Sequence, residues 1–149
     1  MPSNPDDEFG HPASYGYMTV NTTSSHDTSS LRAWWEEDRG KSQHFWNAVL
    51  GQQGAAPWYC EDWLVEMILR QHLHSPSMWA IFPLQDLFAL RHDLRVSDPN
   101  TERVNVPANP KHYWRYRMHV AVEDLLANEN FIGHVKSLVR ESDRAHEYV

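Results

Sequence analysis

At 149 residues, with 41% hydrophobic and 22% charged residues, the chain has the composition of one soluble domain. Its net charge of −7 works against phosphate backbones and anionic lipid, so neither nucleic acid nor a membrane surface is expected as a partner. A single cysteine, Cys60, excludes an intrachain disulfide framework, and no apolar run reaches the roughly 18 residues a membrane helix needs.

Other features point the same way. Residues 1–12 lack a basic stretch followed by an apolar one, so no secretory leader is expected and a reducing, cytoplasmic setting is. Cys60, beside Trp58, Tyr59 and Trp63, reads as a small buried hydrophobe. Seven Trp, six Tyr and ten His are many for this length. Aromatic faces suit sugar rings or stacked bases, and the acidic balance favours the uncharged ligand; otherwise they fill a core.

Pro2, Pro5, Gly10, Pro12 and Gly16 make residues 1–16 an extended approach segment. Tyr17 to Thr23, rich in β-branched and aromatic residues, reads as a strand. Ser24 to Ser30, a cluster of hydroxyls around His26 and Asp27, can turn the chain and cap a helix. Leu31 to Asp38 is helical by pattern and stops before Gly40; a short helix over Ser42–Leu50 stops at Gly51. Cys60 to His72 places Leu64, Met67, Ile68 and Leu69 on one side, with Glu61 and Asp62 in its first turn and Pro76 closing it. Met78 to Phe82 is continuously apolar, as in a strand buried on both faces. Leu84 to Leu90 suggests a short helix, Arg91 to Lys111 a proline-containing loop, and His112 to His119 an aromatic, basic stretch. A last helix runs from Val122 towards Arg140, weakened by Gly133.

Two strands separated by helices cannot form a hairpin and must pair in parallel. A two-stranded parallel sheet needs more neighbours and cover on both faces, so the pattern is that of the end of a larger α/β architecture.

Three blocks carry a resemblance to a known family. They are Thr22-Thr23-Ser24-Ser25-His26-Asp27-Thr28 through Arg32-Ala33-Trp34-Trp35-Glu36-Glu37, Pro76 through Asp86, and Arg103-Val104-Asn105-Val106-Pro107-Ala108-Asn109-Pro110 through Met118. In this order they resemble the family 77 glycoside hydrolases, the 4-alpha-glucanotransferases or amylomaltases. The resemblance implies that the chain is the C-terminal part of a (β/α)8 TIM barrel, predominantly helical by content. Met18–Thr23 would be the seventh strand and Met78–Phe82 the eighth, with the site at their C-terminal ends. Residues 1–149 would then be one segment of that barrel, its remainder being the partner that completes it.

The implied activity is transfer of α-1,4-glucan segments between maltooligosaccharides or glycogen- and starch-like polymers by a retaining double displacement. Asp27 would be the carboxylate that stabilises the transition state, with His26 donating to the same sugar. Asn105 and Pro107 would lie in a loop near the reacting sugar. No segment matches the family's nucleophile or acid motif; Glu36-Glu37-Asp38 and Glu61-Asp62 read as solvated helix positions. The isolated chain is therefore expected to be inactive. No cofactor is implied, and His72 and His74, two apart and without an HExxH or CxxC pattern, argue against a metal site.

Alternatives remain at each position. Asp27 could simply cap the following helix, His26 could be structural, and Asn105 with Pro107 could form a rigid turn. Arg32, Trp34 and Trp35 suggest packing and support. His112, Trp114, Arg115 and Arg117 could stack on RNA, although a structural role fits the acidic chain better. For the whole chain, a free-standing, non-catalytic glucan-binding or partner-binding remnant is the competing reading. A metal-dependent phosphohydrolase fails for want of further ligands.

Overall fold

The computed structural model describes residues 8–145. Residues 1–7 and 146–149 fall outside it, and with them much of the expected approach segment and of the stretch that argues against a leader. Among the described residues, short 3-10 turns at Pro12–Ser14, His92–Leu94 and Pro99–Glu102 punctuate two strands and six helices. The strands are β1 (Val20–Asn21) and β2 (Trp79–Ala80); the helices are α1 (Leu31–Glu37), α2 (Arg39–Ala48), α3 (Asp62–Leu73), α4 (Leu84–Phe88), α5 (Val122–Ala127) and α6 (Glu129–Glu141). No helix among them is long and apolar enough to cross a membrane.

β1 and β2 pair in parallel, Val20 opposite Trp79 and Asn21 opposite Ala80, as the helical crossover requires. Both regular strands are shorter than Tyr17–Thr23 and Met78–Phe82. Backbone bonds from Met78 N–H to the Tyr17 carbonyl (2.7 Å) and from Ile81 N–H to the Asn21 carbonyl (3.0 Å) continue the contact beyond them. The second strand is not buried on both faces. Asn21 and Ala80 face the helices, but Met18, Val20, Trp79 and Ile81 stand 81%, 60%, 59% and 57% exposed on the opposite side. Alternation along a strand puts these four side chains on one face, and no described residue covers it.

The helix boundaries follow capping more closely than glycine content. Asp38, extended at φ −141°, ends α1, and its carboxylate accepts Lys41 N–H (3.1 Å) to start α2. That cap outweighs the roughly 1 kcal/mol cost of Gly40 inside a helix, so α2 begins at Arg39 rather than Ser42. The expected helix from Val122 to Arg140 is divided in the same way: Asn128 Oδ1 accepts Phe131 N–H (3.0 Å), ending α5 and capping α6, while Gly133 lies undisturbed inside α6.

The core lies between the sheet and α1, α2, α3 and α6, around Trp35, Leu64, Ile68, Leu69 and Leu138. Trp35 is 1% exposed and donates its indole N–H to the Pro57 carbonyl (3.0 Å), the packing role expected of it. Cys60 is fully buried in this cluster, and burial pushes its thiol well above the ordinary range, which leaves it inert as a nucleophile. Phe88, Leu94 and Phe131 form a second, smaller cluster under α4 and α6.

His72, also buried, keeps Nδ1 at 2.9 Å from the Ile68 carbonyl, so that nitrogen carries the hydrogen. Burial holds the imidazole below its ordinary value of 6.5, outweighing the raising effects of the Ile68 bond and of Asp86. The folded state thus takes up fewer protons here than the unfolded one. This contribution is present above 6.5 and is lost as pH falls through the depressed folded value. In the full-length protein, Tm is expected to drop less between about pH 7.5 and 5.5 in His72→Gln than in the parent. Parallel pH profiles of the two would refute the burial effect.

Candidate active site

Residues 22–30 link β1 to α1, and hydroxyls fold them into a defined turn. Ser25 N–H donates to Thr28 Oγ1 (2.9 Å) and Thr28 N–H to the Ser25 carbonyl (3.2 Å), which puts His26 and Asp27 at the two corners. The cap of α1 is Ser30, not Asp27: Ser30 Oγ accepts Ala33 N–H (3.4 Å). The capping alternative for Asp27 is thereby removed. Its carboxylate is free to do something else.

That carboxylate meets the distant loop the sequence singled out. Asn105 Nδ2 donates to Asp27 Oδ1 at 2.6 Å, and Asn105 N–H donates to the His26 carbonyl at 3.0 Å. His26 Nε2 lies 3.3 Å from Asp27 Oδ2. The two carboxylate oxygens are thus held from opposite sides, while the Asp27 and His26 side chains remain 50% and 58% exposed and open to a ligand. Arg103 fixes the approach of the loop, donating to the Asn105 carbonyl (3.1 Å) and to Ser29 Oγ (3.2 Å). Pro107 is exposed at a corner of the turn closed by Asn109 N–H on the Val106 carbonyl (2.8 Å); it shapes this loop two residues beyond Asn105.

The aromatic, basic stretch contributes one contact not foreseen. The Trp114 ring lies 5.4 Å from that of His26, tilted by 46°, with its own face largely exposed. His112 has a structural role instead, its Nε2 3.0 Å from the Val104 carbonyl. Arg115 stacks over Tyr113 at 5.1 Å. Arg32 donates to the Val96 carbonyl (3.1 Å) and approaches Glu102 at 3.8 Å, which is support for the loop, as expected.

Two buried carboxylates beneath the turn were not recognised from sequence. Asp86 accepts Thr23 Oγ1 (2.5 Å), Ser24 Oγ (2.7 Å) and Leu31 N–H (2.8 Å), and Glu102 accepts Ser30 Oγ (2.9 Å). Burial raises both carboxyls above their ordinary values, against the lowering effect of these hydrogen bonds and, for Glu102, of Arg32. A signal was available: seven of the nine residues from 22 to 30 are Ser or Thr, a row of hydroxyl donors that a buried carboxylate is suited to accept from. Among the described residues no group of three or more His, Cys, Asp and Glu side chains is placed to hold a metal ion.

A parallel strand pair with a helical crossover, and an exposed, oriented carboxylate past its first strand, defines a segment of an α/β fold. The sequence profile of the glycoside hydrolase 77 family, described as 4-alpha-glucanotransferase, matches residues 1–123, and the chain belongs to that family. It is 47% identical over 145 residues to the 4-alpha-glucanotransferase DPE2 of Oryza sativa subsp. japonica, covering 97% of this chain and 15% of the relative. It is 30% identical over 125 residues to the 4-alpha-glucanotransferase of Chlamydia trachomatis, covering 83% of this chain and 23% of that protein. Its fold matches part of the amylomaltase of Streptococcus agalactiae, solved in complex with acarbose, with a TM-score of 0.65 and 21% identity over 91% of this chain and 24% of the other. The chain thus spans less than a quarter of the length of each of these proteins.

Proposed function

We propose that this chain forms the last two strands, with their helices, of the (β/α)8 barrel of a cytoplasmic 4-alpha-glucanotransferase acting on α-1,4-glucans. The observation that carries the reading is the Asp27 carboxylate, exposed and oriented by a 2.6 Å bond from Asn105 instead of being consumed as a helix cap. The uncovered apolar face of β1 and β2 supports the structural half of the proposal, since a closed barrel would fill that side from its other strands.

In the proposed reaction a carboxylate supplied by the rest of the barrel attacks the anomeric carbon. The glycosidic bond breaks, and a carboxylic acid protonates the departing oxygen. The hydroxyl of an acceptor glucan then displaces the enzyme carboxylate and returns its proton to the acid's conjugate base. Positive charge develops on the sugar ring in both steps. The negative charge of Asp27 opposes it, His26 donates to the ring hydroxyls, and Asn105 keeps the carboxylate aimed. Pro107 stiffens the loop that brings Asn105 there.

Full-length protein incubated with maltotriose is expected to yield glucose together with longer maltodextrins. Asn105→Ala is expected to lower kcat about 10- to 100-fold, in keeping with the roughly 1.5–3 kcal/mol of a hydrogen bond to a charged group. Products no longer than the substrate, or no product at all, would overturn the assignment.

A further inference from the structure

The hydrogen bonds of Asp86 have an arrangement that the reaction itself does not explain. This residue lies in the first turn of α4, is fully buried, and belongs to neither the loop nor the site. Its Oδ2 accepts from Thr23 and Ser24, where the loop leaves β1, and its Oδ1 accepts from Leu31 N–H, where the loop enters α1. One side chain therefore holds both feet of the segment whose corners are His26 and Asp27. Leu31 N–H is also one of the unsatisfied donors at the start of a helix, so the same contact fixes the helix and the loop together.

We propose that Asp86 is a positioning residue for the transfer reaction: it closes the loop from Thr23 to Leu31 and thereby sets where the Asp27 carboxylate stands. The proposal rests on the catalytic reading of Asp27 given above. Asp86 acts through hydrogen-bond geometry and not through its charge. Burial already disfavours the ionised carboxyl, and an amide in its place can still accept from Leu31 while the Thr23 and Ser24 hydroxyls rotate to accept from its NH2. Glu102 performs a narrower task, holding Ser30 alone on the loop side.

The test compares Asp86→Ala and Asp86→Asn in the full-length protein. The readouts are kcat and KM with maltotriose, Tm, and hydrogen–deuterium exchange of peptides covering residues 22–32 and α3. In Asp86→Ala, kcat is expected to fall about 10- to 100-fold, as for small misplacements of a reacting group. KM should change by less than about threefold, since the loss falls on the transition state. Exchange should rise in residues 22–32 and not in α3. Asp86→Asn should restore kcat to within about threefold of the parent and protect the loop again.

Unchanged exchange in residues 22–32, a rise spread equally through α3, or an Asn variant as damaged as the Ala variant would each overturn the proposal. If Asp86→Ala does not fold, Thr23→Val with Ser24→Ala removes two of the three donors from the other side and must raise exchange in the same peptide. Failure of the Asp27 reading is seen separately: Asp27→Asn would keep its activity, while the exchange measurement still decides whether Asp86 closes the loop.

Discussion

Replacing Asp27 by Asn in the full-length protein is expected to lower kcat by about 10² to 10³ while leaving KM close to that of the parent. Asn preserves the volume, and its Oδ1 can still accept from Asn105 at the position where Asp27 now does. What disappears is the negative charge. Charge aimed at a developing oxocarbenium ion matters in the transition state and little in the ground state, so the loss belongs in kcat. Because Ser30 caps α1, the substitution removes no helix cap, and at this half-exposed position stability should change by no more than the ~0.5 kcal/mol typical of surface changes. Steady-state kinetics on maltotriose decide the matter. A variant that keeps more than about a tenth of parental kcat sinks the electrostatic role.

The second large effect concerns the chain by itself. The isolated 149 residues are expected to show no glucan transfer and no sharp unfolding transition. Activity is absent because the residues that would supply nucleophile and acid are not among the carboxylates near Asp27. Asp86 and Glu102 are buried and already hydrogen-bonded to the loop. The missing transition follows from the sheet. Met18, Val20, Trp79 and Ile81 present one apolar face to water, and the unpaired edges of β1 and β2 invite association with other copies. Chromatography of maltotriose digests tests the first statement, calorimetry with light scattering the second. Longer maltodextrins from the isolated chain, or a single cooperative transition of a monomer, would contradict them.

The order of elements and the parallel pairing were legible because they depend on local signals: β-branched runs, a 3.6-residue period, and a crossover too helical for a hairpin. Boundaries were less legible where two local signals competed. At Asp38 and Asn128 a side-chain cap prevailed over the glycine that the pattern had emphasised. The exposure of Trp79 and Ile81 could not be read from an apolar run, because a sequence records what a side chain prefers and not whether anything is there to cover it. At the site, His26, Asp27 and Asn105 were found through the resemblance, and the 2.6 Å contact across 78 positions then placed them together. Asp86 and Glu102 escaped notice because an acid at a helix start or in a polar loop is ordinarily solvated. Only the fold reveals that these two are buried under a row of hydroxyls.

Trp79 lies beside Val20 on the uncovered side of the sheet, and this bears on how the segment can be exchanged between relatives. If that side is filled as proposed, the space around the indole is matched by side chains encoded elsewhere in the gene. Shrinking Trp79 would leave a void costing about 24 cal/mol for each Å³ not refilled, and enlarging Val20 would force its unseen neighbours aside. On that proposal the identities at these two positions are set by residues outside the chain, and they should drift together with those residues between lineages. A chimera that grafts residues 8–145 onto the upstream part of a distant family member would carry an intact Asp27 loop. It would still seat badly until the lining around Trp79 was exchanged along with it.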